Sequence, residues 1–141
     1  MGYGLTTKLE QLTAEFLGTP PAWQAIAGQP NYYIELHTGD PGAGTQSTFE
    51  TLYTGYLRVA VIRTAGGWLV AGVTAANVAQ ILFPACTGPA DDVTLTHVSF
   101  GLSNTGIAGQ IIRCGPLVTP KRVIAGIQPY FDVGDFIASF A

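Results

Sequence analysis

Residues 32–45 read YYIELHTGDPGAGT. Tyr32, Ile34 and Leu36 alternate with Tyr33, Glu35 and His37, the period of a β-strand with one buried face. A histidine, an aspartate and three glycines (Gly39, Gly42 and Gly44) follow at once. Such a loop either cradles a phosphate or turns the chain. Its glycines form G-x-x-G-x-G, the reverse of the dinucleotide fingerprint, and no lysine lies between Lys8 and Lys121 to complete a P-loop. Asp40-Pro41-Gly42 instead fits turn chemistry, with Pro41 pre-setting one central φ and Gly42 admitting a positive one. The stretch reads as a strand ending in a sharp turn, with no helix behind it.

The same reading holds downstream. GYLRVAVIRT, WLVAG after the Gly66-Gly67 pair, NVAQILFP, VTLTHVSFGL, GQIIRCG closed by Gly115-Pro116, IQPYFDV and DFIASFA are each short, alternating and bounded by turn residues. That makes about eight strands at intervals of roughly ten residues, the pattern of a sandwich or barrel. No strand–helix alternation appears, so a doubly wound parallel sheet is not expected. One helix is expected before residue 28. Leu5, Leu9, Leu12 and Phe16 share a face, Thr7 and Glu10 have capping-box spacing, and Gly18 with Pro20 and Pro21 ends it. The expected fold is all-β: an antiparallel, jelly-roll-like β-sandwich over residues 29–141, preceded by a helix and arm over residues 1–28.

Composition narrows function. Charged residues are 11% of the 141, against roughly 25% in an ordinary soluble domain. A surface so poor in charge is normally covered, which points to a subunit of a larger assembly. Six basic residues, only Lys121 and Arg122 adjacent, make no nucleic-acid stripe. The segment between Arg63 and Asp91 carries no Asp, Glu, Lys or Arg, but its glycines, Asn77, Gln80 and Pro84 break it into two buried strands rather than a membrane span. The N-terminus has neither a basic start nor an apolar signal core, so no secretory segment is expected, and folding in a reducing cytoplasm is. Cys86 and Cys114 are read as small buried hydrophobes, with a disulfide between them left open.

The census of chemistry is short. His37 and His97 lack a neighbouring nucleophile and orienting acid in sequence and read as structural or surface residues. Asp91-Asp92, and Asp132 with Asp135 around Gly134, are turn acids; adjacent carboxylates on a strand do not point to one metal. No Gly-x-Ser-x-Gly or His-Glu-x-x-His occurs. No enzyme activity, cofactor or metal is expected.

Taken in order, the helix ending in FLG, YYIELHTGDPGAGT, GYLRVAV, GGW, ANVAQILFPAC, VTLTHVSFGL, GLSNTGIAGQIIRCGPLVTPKRVIAG and PYFDVGDFIASF resemble small tailed-bacteriophage virion proteins of the tail-fibre-like or head-decoration kind. The chain departs from them in an insert around TPPAWQAIAGQP and in its proline-tipped PLVTPKRV segment. The resemblance implies a compact β-sandwich present in several copies on a virion and without catalysis. Two functions follow. One is a decoration or cement protein on the outer surface of the head, a homotrimer gripping the major capsid protein and stabilising the mature shell by mass action. The other is a tail or fibre-associated component contacting the tail tip or host surface. A sugar-binding module using Trp23 and Trp68 is a distant third. The expected interface residues are Leu9, Leu12 and Phe16 on the helix, Trp23 in the arm, and Phe49 and Tyr53 in the long loop.

Overall fold

The computed structural model describes residues 15–17, 30–105 and 111–139. Among them are one helical turn at residues 15–17 and nine strands: β1 (Asn31–His37), β2 (Val59–Ile62), β3 (Trp68–Ala71), β4 (Thr74–Asn77), β5 (Ile81–Leu82), β6 (Asp92–Gly101), β7 (Ile111–Ile124), β8 (Tyr130–Phe131) and β9 (Ile137–Ser139). They form sheets of order β2-β1-β6-β7, β3-β4-β9 and β5-β8. The chain is all-β, and the registered pairs in the two larger sheets are antiparallel. Contacts gather the chain into two compact units, one from residues 1–31, 61–81 and 131–141, the other from 32–60 and 82–130. Residues 29–141, expected as one domain, thus contribute to both.

In the second unit β6 is the central strand. It pairs with β1 from Tyr33↔Gly101 to His37↔His97 and with β7 from Asp92↔Ile124 to Gly101↔Ile111. Tyr32, Ile34 and Leu36 are buried as their alternation requires, with Leu95, Phe100 and Val123 also in the core. The Tyr32 and Phe100 rings lie 4.6 Å apart between centroids. β7 does not stop at Gly115-Pro116. It continues to Ile124 because it lies at the sheet margin, where a residue without an N–H is tolerated. Between Leu95↔Lys121 and His97↔Pro116 the register slips, so that Thr96 alone faces residues 117–120. This proline-bracketed bulge leaves Val118 fully exposed and breaks up a long edge that would otherwise template aggregation.

The first unit is built on the β3-β4-β9 sheet. Thr74-Ala75-Ala76-Asn77 has weak strand propensity and was not anticipated as a strand. It pairs because Gly72, at φ 58°, closes a two-residue hairpin that sets Ala71 opposite Thr74 and Trp68 opposite Asn77. The charge-free segment is therefore not two buried strands. It makes β3, β4 and β5, which bury some positions and leave others, such as Leu69 and Leu82, exposed. No helix among the described residues is long and apolar enough to cross a membrane. Gly67 is needed at its turn because a Cβ there would collide with the carbonyl oxygen of Ile62.

Trp68 anchors this unit's core, edge-on to Phe16 at 4.7 Å and to Phe136 at 5.7 Å, and Phe136 meets Phe131 at 5.4 Å. The Arg63 guanidinium donates from Nε to the Glu15 carbonyl at 2.7 Å, tying the helical turn down. Asn77 clamps the C-terminal segment. Its side chain donates to the carbonyls of Ala79 (2.8 Å) and Asp132 (2.9 Å) and accepts from the Phe136 N–H (3.0 Å), while its own carbonyl accepts from the Gly134 N–H. Asn77→Ala strands the buried Phe136 N–H and removes the donor that the Ala79 and Asp132 carbonyls share. It is expected to lower unfolding free energy by about 2–4 kcal/mol in urea titration, far more than an ordinary exposed Asn→Ala change.

Candidate functional site

Glu35 and His37 point to the face of β1 opposite Ile34 and Leu36, where a half-exposed strand would give them water. Both are nevertheless at 0% exposure. Loop residues 38–58 fold back over that face. The Thr51 N–H donates to the Leu36 carbonyl and the Thr38 N–H to the Phe49 carbonyl (2.9 Å each), His37 bridges Glu50, and the Leu36 N–H donates to the Tyr56 hydroxyl at 3.2 Å. The turn at its start is as expected, with Gly42 at φ 51° and its N–H held by the Asp40 carboxylate at 2.9 Å.

The enclosed polar groups form one chain of hydrogen bonds. His37 Nδ1 lies 2.8 Å from the Thr48 carbonyl, which only accepts, so Nδ1 carries a hydrogen. His37 Nε2 lies 2.7 Å from Ser99 Oγ, and Ser99 Oγ lies 2.7 Å from Glu35 Oε2. Glu35 Oε1 accepts from the Gln46 amide, whose orientation is set by the Ser103 backbone, with the Ser103 N–H donating to its carbonyl and its NH₂ donating to the Ser103 carbonyl, 3.1 Å each. Two proton arrangements satisfy every member. In one, a protonated Glu35 donates to Ser99 and Ser99 donates to a neutral His37. In the other, His37⁺ donates to Ser99 and Ser99 donates to a carboxylate. Burial decides for the neutral pair. It pushes the Glu35 carboxyl up to about 8, against the lowering effects of Ser99 and Arg58, and it pulls His37 below its ordinary value.

Beside this relay sits an ion pair. Arg58 holds Glu50 with two bonds of 2.8 Å, donates to the Ser103 carbonyl at 2.9 Å, and receives support from the Tyr56 hydroxyl, which donates to Glu50 at 2.7 Å. Both charged side chains are nearly covered, at 5% and 9% exposure, so this fork is screened little by salt. Burial also raises the Tyr56 phenol far above its usual range, and lifts Tyr53, whose hydroxyl donates to the Pro84 carbonyl at 2.7 Å, to about 12.

Serine, histidine and a carboxylate are the residue types of a hydrolytic triad, but their order here is wrong for one. Serine stands between the other two, histidine spends its far nitrogen on a backbone carbonyl, and the three are 0–1% exposed. The constellation fastens a loop to a sheet. Asp91 and Asp92 behave as turn and surface acids: Asp91 accepts from the Thr54 N–H at 2.6 Å, and Asp92 takes a two-bond grip from Arg122 at 2.8 Å. Each carboxyl is held below its ordinary value by those donors. His97 bonds Thr96 at 2.8 Å. No group of three metal-binding side chains converges among the described residues. Both cysteines are free. Cys86 is buried, but Cys114 is exposed on the sheet edge and is not the buried hydrophobe expected.

A family model for the podophage GP4 fiber I protein gp80 matches residues 21–139. The chain belongs to this family. It is thereby a structural protein of tailed-phage virions, as the ordered strand phrases of the sequence implied. No curated protein matches it. For a gp80-family chain the fibre or tail reading fits better than head decoration, and the match lends no support to the outer head surface.

The residues expected at an interface are dispersed. Phe16 is fully buried against Trp68, and Tyr53 is buried with its hydroxyl bonded internally. Phe49 is 61% exposed at φ 54°, an unusual backbone for an aromatic residue, with its ring over Gly39. Leu9, Leu12 and Trp23 lie outside the described residues. Sequence reasoning missed Glu35, Gln46, Glu50, Arg58 and Ser99. The available signal was a glutamate flanked by Ile34 and Leu36 in a chain with very few charges.

The relay sets a pH profile. An unfolded chain ionises Glu35 above about 4.5 and protonates His37 below about 6.5, whereas the folded chain keeps one proton on the pair up to about 8. Below 6.5 the unfolded state also holds one proton, and this pair makes stability independent of pH as long as burial keeps the folded His37 neutral. From 6.5 to 8 the unfolded state holds none, so stability falls with rising pH, by about 2 kcal/mol in all. Where the unfolded state holds two protons and the buried His37 still holds none, stability falls again with falling pH. Glu35→Gln preserves the neutral donor–acceptor pattern and removes the cost of holding a carboxyl protonated, so urea unfolding between pH 6.5 and 8 should lose this slope and stability at pH 6 should rise by up to about 2 kcal/mol. A strongly destabilised Glu35→Gln at pH 6 would mean that Glu35 is ionised in the folded chain.

Proposed function

We propose that the chain is a fibre or tail-associated structural subunit that works by contact, as a homo-oligomer, and has no catalytic role. The observation that carries this reading is the match to a fibre-protein family across residues 21–139. The buried His37–Ser99–Glu35 relay supports the non-catalytic part, since no substrate reaches it. Charge poverty supports the oligomer, because the cores of subunit interfaces are depleted in charge. A trimer is the order expected from the family resemblance. Phe49, Leu52 and Leu57 stand 61%, 87% and 65% exposed on the loop that Glu50 and Arg58 brace, a pre-ordered apolar surface suited to a neighbouring virion protein or the host envelope.

Immunogold labelling of purified particles with antibody to the chain tests the location. Gold at the tail or its fibres is expected, and a label spread over the head shell would defeat the reading. Phe49→Ala together with Leu52→Ser should leave the circular dichroism spectrum unchanged and reduce particle assembly or adsorption.

A further inference from the structure

Three of the chain's six basic residues, Arg113, Lys121 and Arg122, lie on β7. Beside its end is an open groove of about 270 Å³, lined by Lys121, Arg122, Val123, Ile127, Pro129 and Tyr130. Ile127 and Tyr130 are 42% and 43% exposed, so its wall presents apolar surface to water. Lys121 is held at the rim by its bond to the Tyr130 carbonyl (3.0 Å) and by the Tyr130 ring, 5.0 Å away. The groove is thus apolar inside and cationic at its edge.

Residues 132–135, Asp-Val-Gly-Asp, have the opposite pattern. Val133 projects at 64% exposure, with the exposed acids Asp132 and Asp135 on either side of it. The turn is rigid. Asp135 N–H bonds the Asp132 carbonyl at 3.0 Å, and the Asn77 clamp holds both the Asp132 carbonyl and the Gly134 N–H. Gly134 takes φ 81° to make this possible. A pre-ordered apolar tip loses little entropy on docking.

We propose that the groove beside β7 in one copy receives the Val133 turn of a second copy. Val133 enters against Ile127, Pro129 and Tyr130, while Asp132 and Asp135 meet Lys121, Arg122 being already neutralised by Asp92. Charge selects this pairing. Groove against groove sets Lys121 against its own copy, and turn against turn sets four carboxylates together, so only the mixed contact is complementary. The contact joins two different patches, so it is heterologous. The inference rests on the homo-oligomer reading above and names the surface that reading requires.

Sedimentation velocity on the full chain, with circular dichroism to confirm folding, tests it. The wild-type chain is expected to self-associate, more weakly as salt is raised. Val133→Ser, at an exposed tip, should weaken association about tenfold. Lys121→Glu and Asp135→Lys should each weaken it as well, and the double variant should recover much of the loss. If all three single variants associate like the wild type, the proposed contact is wrong, although the oligomer reading survives through another surface. If the wild type stays a single copy at high concentration, both fall.

Discussion

A carboxyl group in the middle of a strand, at zero exposure, cannot stay ionised without a partner close enough to repay its lost hydration. Glu35 has Arg58 within 3.9 Å, but that guanidinium is already committed to Glu50 by two shorter bonds. The solution is a shared proton passed along Glu35, Ser99 and His37, with Gln46 and the Thr48 carbonyl closing the ends. The arrangement needs residues from β1, β6 and the loop at once. The loop therefore has one well-satisfied position over the sheet, and any displacement leaves several buried polar groups unmatched.

That constraint explains how a chain with so few charges presents a defined surface. The chain's few ion pairs include one drawn inward, Glu50 with Arg58, where it stiffens residues 38–58 and props Phe49, Leu52 and Leu57 into water. Another, Asp92 with Arg122, fastens the exposed end of β7 to β6. The exposed Asp92–Arg122 pair contributes little to overall stability, yet both pairs fix geometry. In the other unit the same task falls to a neutral residue, Asn77, which holds the 132–135 turn through backbone bonds. A structural protein of a virion gains from such rigidity, since a pre-ordered surface docks with less entropic loss.

The comparison with sequence expectation is uneven for physical reasons. β1, β2, β3, β6 and β9 announced themselves because their alternation matches a strand with one buried face. β4 did not, since Thr, Ala and Asn carry little strand preference and pair only because the Gly72 hairpin presents them to β3. β7 appeared to end at Pro116, because sequence does not say which strand lies at a margin where proline costs nothing. Phe16 and Tyr53 carried the signal of interface aromatics, yet burial is a property of what lies across from a side chain, and both are covered by their own chain.

The amino-acid sequence by itself determined the all-β class, the turn at Asp40-Pro41-Gly42, the poverty of charge and the kinship with phage virion proteins, because each is carried by local spacing or bulk composition. Tertiary structure alone decided that the second face of β1 is sealed, that serine rather than histidine sits at the centre of the polar relay, and which apolar side chains remain exposed. Those outcomes depend on residues as distant as Glu35 and Ser99 meeting within hydrogen-bond reach, and no local pattern encodes that meeting.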